Sequence, residues 1–180
     1  MTVGNALDPF DRLLEMVDAA LPAEGVEGLC QHGVSAVRPR GLKHVPILTR
    51  PEFDSELCRA DVVLCHAGVG TLWSAIEAGH HPLVVPRREH LGEHVNDHQL
   101  EICAALEPEG LIRVVSTTHE LAAALRSTTR VPEQRPLDQS ALRRIGDALG
   151  ALGRSRRRAR PWLLRLLQFG SPPLERMRFR

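Results

Sequence analysis

A chain of 180 residues that is 43% hydrophobic and 25% charged, with 14 Gly, 13 Pro and no Tyr, has a globular composition, which excludes a fibrous or wholly disordered protein. One core at this length buries roughly 70% of the surface the unfolded chain exposes, so neither a disulfide framework nor a structural metal is required. The net charge of +1 conceals a division: residues 1–150 carry 14 Lys and Arg against 21 Asp and Glu, while residues 151–180 carry nine Arg against one acid, Glu175.

The expected organisation is therefore an acidic domain over residues 1–150 and a basic tail over 151–180. No apolar run approaches the roughly 18 residues of a membrane span, and the start lacks the pattern of a secretory leader. Cys30, Cys58, Cys65 and Cys103 form no CxxC pair. They suit small hydrophobes in a reducing compartment, and the expected location is cytoplasmic.

Met-Thr-Val-Gly at residues 1–4 is a short β-prone start. Phe10, Leu13, Leu14, Val17 and Leu21 then share one helical face, with Asp8 as expected N-cap and Pro9 as first helical residue. Val26–Cys30 and Leu42–Ile47 are strand candidates, and Pro51 opens a helix running through Leu57. Asp61–Cys65 is a continuous apolar strand ending in His66-Ala-Gly-Val-Gly-Thr71, and a helix follows to Ala78. Pro82–Pro86 is a second buried strand, succeeded by a polar loop from Arg87 to about Asn96 and a helix over Asp97–Leu106. Leu111–Val115 and Thr118–Leu125 complete the series as strand and helix. Apolar strands alternating with helices indicate an α/β fold with a single Rossmann-like parallel sheet covered on both faces. In such sheets ligands bind beyond the carboxyl ends of the strands.

Two stretches lie at such ends. In residues 66–71, Gly68 and Gly70 stand between a strand and a helix N-terminus, where bare backbone N–H groups are able to approach an anion, with Thr71 and His66 as further donors. A turn that merely permits tight packing is the competing reading. No Lys follows as in a P-loop, and the dinucleotide spacing GxGxxG is missing. Glu77, later on the same helix, is either an acceptor for paired hydroxyls or a solvated helix residue. The stretch from Arg87 to Gln99 packs two cations, three acids, three imidazoles and two amides into thirteen residues. His90, His94 and His98 recur every four residues, as zinc ligands on a helix would, but Gly92 argues for a loop and no HExxH is present. The competing reading is a hydrogen-bonding network for a polyhydroxylated ligand, built on Glu93, Asn96, Asp97 and Gln99 with the histidines.

The segment ADVVLCHAGVGTLWSAIEAGHHPLVVPRREHLGEHVNDHQLEICAAL resembles the donor-binding, C-terminal half of GT-B glycosyltransferases of family 28. It is most similar to the soluble subunits of two-component members, both the bacterial exopolysaccharide type and the dolichol-linked N-acetylglucosaminyltransferase type. TVGNALDPFDRLLEMVDAAL resembles that family's opening strand and helix, and the resemblance covers about residues 1–125.

The resemblance implies that His66, Gly68, Gly70 and Thr71 hold the diphosphate of a UDP-sugar, and that Glu77 faces the nucleoside or sugar. Arg87, Glu93, His94, Asn96, Asp97 and Gln99 would embrace the sugar, with Asp97 and Gln99 on its hydroxyls. Where larger relatives carry a ribose-binding Glu three residues after the Thr, this chain has Ser74. No DxD-like metal motif is present, so neither metal nor cofactor is expected, and preoriented N–H groups with a helix dipole would stabilise the leaving diphosphate.

A GT-B site is a cleft between two domains and this length provides one. The implied partners are thus a membrane-anchored acceptor-binding subunit and a lipid-linked sugar acceptor, at the inner face of the membrane. His66 is the one candidate base in this chain, unless the partner supplies it. In the tail, Arg154, Arg156, Arg157, Arg158 and Arg160 precede Trp162-Leu-Leu-Arg-Leu-Leu-Gln-Phe169, which suits docking on that partner or on an anionic bilayer. Stacking aromatics are not interleaved with the arginines, so nucleic acid is not the expected partner. A non-catalytic nucleotide-sugar sensor or scaffold is the alternative function.

Overall fold

The computed structural model describes residues 1–21 and 26–127. The tail, with the expected boundary at residue 150 and the segment 154–169, lies outside the described residues. In chain order the elements are α1 (Asp11–Ala20), β1 (Leu29–Gln31), β2 (Lys43–Val45), α2 (Arg50–Arg59), β3 (Leu64–His66), α3 (Val69–Glu77), β4 (Leu83–Val85), α4 (His98–Leu106), β5 (Arg113–Val114) and α5 (Thr118–Ser127), with a 3-10 turn at Glu89–Leu91 before α4. Each strand is shorter than its apolar run, because the run's ends enter loops before the ladder closes.

All strand pairs are parallel: β1 with β2, and β3 with β4 with β5. The opening residues join the two groups. Thr2 bridges Gln31 on one side and Cys65 on the other, and its N–H donates to the Leu64 carbonyl while that of Val3 donates to Gln31, both at 3.0 Å. Counted with that opening strand, the spatial order is 3-2-1-4-5-6, the doubly wound arrangement of Rossmann folds. Its switch point lies between the opening strand and β3, where the following loops diverge to opposite faces and leave a crevice.

Side chains alternate between two apolar layers, which explains why the strands read as unbroken hydrophobic runs. Leu64, Leu83 and Val85 pack with Phe10, Leu13, Leu14 and Val17 of the α1 region and Leu121 and Ala124 of α5. Cys65 and Val84 point the other way, against Leu72 and Ile76 of α3 and Ile102, Cys103 and Leu106 of α4. Burial pushes the thiols of Cys65 and Cys103 up to about 12, so both behave as inert hydrophobes.

Two helix starts differ in detail from the sequence expectation. The first helix begins at Asp11, not at Pro9, because the carbonyls of Asp8 and Pro9 accept from Arg87 and the Phe10 N–H donates to Ser35 Oγ at 2.8 Å, so these groups are committed outside the helix. At α2, Glu52 reaches back to the Thr49 N–H at 2.8 Å in a capping box, so the helix begins at Arg50, one residue before the expected Pro51.

Candidate functional site

His66 ends β3 at the switch point, and two glycines enclose its ring. A Cβ on Gly68 would stand 2.1 Å from the imidazole Nε2, and one on Gly4, whose φ is +80°, would stand 2.4 Å from Cε1. Neither position admits a side chain while the ring is there. Gly70 is different: nothing lies within 4 Å of a Cβ placed on it. The two readings of the glycine turn therefore divide between its glycines, Gly68 serving close packing and Gly70 leaving open space before α3. There the helix hydrogen bonds begin with Leu72 N–H to Gly68 carbonyl at 2.9 Å, so the N–H groups of Val69, Gly70 and Thr71 have no helical acceptor.

The His66 ring is buried and its Nδ1 has no hydrogen-bond partner. Burial, reinforced by the positive charge of Arg87 and by His94 and His98, pushes its pKa down to about 3. The imidazole is thus neutral near pH 7 and acts there as a hydrogen-bonding group. A pKa so far below the operating pH makes a weak proton acceptor.

Arg87 is fully buried and spends its guanidinium inside the protein. Nη1 donates to the carbonyls of Asp8 (2.9 Å), Pro9 (3.2 Å) and Glu93 (2.9 Å), and Nη2 to that of Val3 (3.0 Å). Its charge lies 4.7 Å from the centre of the Phe10 ring. Glu93 is similarly engaged: its two oxygens take Nε and Nη2 of Arg12 at 2.7 and 2.8 Å, and Oε2 also accepts the Arg88 N–H at 2.9 Å. Both side chains, read from the sequence as ligand contacts, tie the 87–99 loop to the rest of the domain, Arg87 to the opening segment and Glu93 to α1.

Gln99, in the first turn of α4, is buried, and its Oε1 accepts the N–H groups of Ala67 and Arg87, each at 3.1 Å. Asn96 Oδ1 accepts from the N–H and Nδ1 of His98, and Asp97 Oδ1 from the Glu89 N–H at 2.8 Å. The rings of His94 and His98 meet edge to face at 4.5 Å, while His90 is exposed on the 3-10 turn. Among the described residues no three His, Cys, Asp or Glu side chains gather as a metal would require. His66, Gly68, Gly70, Thr71, Arg87, His94 and Gln99 thus share the carboxyl edge of β3 and β4.

Glu77 does not join them: it is exposed in the last turn of α3, about 12 Å along the helix from the glycine turn. Ser74, in the position of the relatives' Glu, turns its hydroxyl back to the Gly70 carbonyl at 3.0 Å.

Sequence reading missed Gly4 and Arg12. A glycine closing a β-prone start was a signal for the first. Nothing local marks Arg12, whose partner Glu93 is 81 residues away. Several large apolar side chains are exposed: Leu7, Val34 and Ile47 in the loops after the opening strand, β1 and β2, Leu91 and Val95 between β4 and α4, and Leu100 on α4. Leu7 is 87% and Val95 76% exposed, where water contact is unfavourable for such side chains.

Residues 40–146 match the glycosyltransferase family 28 C-terminal domain. A UDP-N-acetylglucosamine transferase subunit ALG13 of Yarrowia lipolytica is 30% identical over 122 residues, covering 59% of this chain. The chain in turn spans 58% of that relative's length. The family match takes in more than half of the chain and both loops that frame His66, and on that ground the chain belongs to the glycosyltransferase family 28 C-terminal domain family.

Proposed function

We propose that this chain is the UDP-sugar-binding subunit of an inverting glycosyltransferase. It transfers a hexose or N-acetylhexosamine to a lipid-diphosphate-linked acceptor in polysaccharide assembly, together with a membrane-bound partner. The observation that carries the reading is the open N-terminus of α3 at the sheet's switch point, with Gly70 bare and neutral His66 behind it, inside a family 28 domain. The relative described as a UDP-N-acetylglucosamine transferase subunit supports the choice of donor and of a subunit role.

The chemistry follows from charge. Cleaving the sugar–phosphate bond leaves negative charge on the diphosphate, and the free N–H groups of Val69, Gly70 and Thr71 with the helix dipole stabilise it there without a metal. Thr71 adds a hydroxyl and His66 a neutral ring. His94, Asn96 and Asp97 stand along the loop that faces the sugar. The low pKa of His66 favours a base supplied by the partner.

Calorimetry of UDP binding to the chain, with and without EDTA, tests the placement by comparing wild type with Gly70→Val. Since the space beside Gly70 is open, the new side chain leaves the fold intact and fills the approach to α3. Metal-independent binding that weakens at least tenfold in the variant is expected. Equal affinity in the two proteins, or no binding by the wild type, overturns the reading.

A further inference from the structure

The parallel ladder of β3 and β4 ends at the pair His66 and Val85. Beyond it the strands part, and the first donors past the ladder are the N–H of Ala67 on one side and that of Arg87 on the other, because Pro86 has none. Two backbone donors buried at a diverging strand end need acceptors. Both find the same one, Oε1 of Gln99, which has a lone pair for each.

We infer that Gln99 is a positioning residue that sets the separation between the glycine turn and the 87–99 loop, so that nucleotide and sugar contacts are built at a fixed distance. The inference rests on the proposed UDP-sugar reading for its functional consequence and on the two hydrogen bonds for its geometry. Ala67 immediately precedes Gly68, and Arg87 anchors Glu93 through its carbonyl, so the one oxygen stands between the two halves of the site. A side chain with its oxygen committed twice in this way acts on the donor through the backbone it holds. It is 2% exposed and stands in the first turn of α4, whose Ile102, Cys103 and Leu106 anchor that helix in the second apolar layer.

The test uses the full chain as wild type, Gln99→Met and Gln99→Glu, with UDP and UDP-N-acetylglucosamine as calorimetric probes. Met preserves length and volume with only a weak acceptor, while Glu keeps the shared oxygen. In Gln99→Met both probes are expected to weaken, UDP-N-acetylglucosamine by about tenfold or more because it spans both halves of the site and UDP by a smaller factor because it uses the glycine turn alone, and Gln99→Glu is expected to keep both affinities. Weaker binding of UDP-N-acetylglucosamine with unchanged UDP affinity and with the Ala67 and Arg87 amides still protected would instead make Gln99 a direct sugar contact and overturn the inference.

Amide hydrogen exchange supplies a second readout that needs no ligand. Ala67 and Arg87 should lose protection together in Gln99→Met and keep it in Gln99→Glu. Loss at one amide alone, or at neither, overturns the latch. If the wild type binds neither probe, the donor reading fails while the exchange experiment still decides whether Gln99 couples the two strand ends.

Discussion

His66 shows how a residue's surroundings decide its chemistry. Held between Gly4 and Gly68 and close to Arg87, it binds a proton far more weakly than a free imidazole, with a pKa near 3 against 6.5. Between those values the unfolded chain holds more protons than the folded one, so this contribution to stability is fully present above about pH 6.5 and is lost as the pH falls toward 3. Urea unfolding from pH 7 to 4 should show it. Relative to His66→Gln, the wild type is expected to lose up to about 1.4 kcal/mol more per pH unit. Parallel curves for the two proteins would show that the folded ring titrates normally.

Among the elements, the 87–99 loop carries the clearest division between what was legible in the sequence and what was not. Its position after a buried strand follows from the apolar run at 82–86 and the breakers after it, and the doubly covered sheet follows from runs without polar alternation. Its density of polar groups marked it as important. Residue type does not reveal the partner, however, and Arg87 finds carbonyls of the opening segment while Glu93 finds Arg12 of α1, which no local spacing encodes. The loop is held by these buried contacts, so Arg87→Lys, which loses the planar fork and its several carbonyls, should cost about 3 kcal/mol in denaturant unfolding. A cost below about 1 kcal/mol would mean that the carbonyls are satisfied in other ways.

At the scale of the whole molecule, Leu7 and Val95 are large apolar side chains outside the core, so Leu7→Asp with Val95→Asp should change unfolding stability by no more than about 0.5 kcal/mol for each site. Binding of a hydrophobic dye should fall, and a drop of several degrees in Tm would show that the two side chains are packed after all. The sheet itself has a seam. Its middle strand is the opening segment, and both neighbours, at Gln31 and Cys65, come much later in the chain. Either half of the sheet, β1 with β2 or β3 through β5, is able to form from local crossovers, but joining them requires the longest closure of any strand pairing among the described residues, Thr2 with Cys65. Folding should therefore finish where the chemistry sits: the last strand to slot in is the one that brings Gly4 over His66 and delivers the carbonyls to Arg87, so the site comes into existence with the final step of folding.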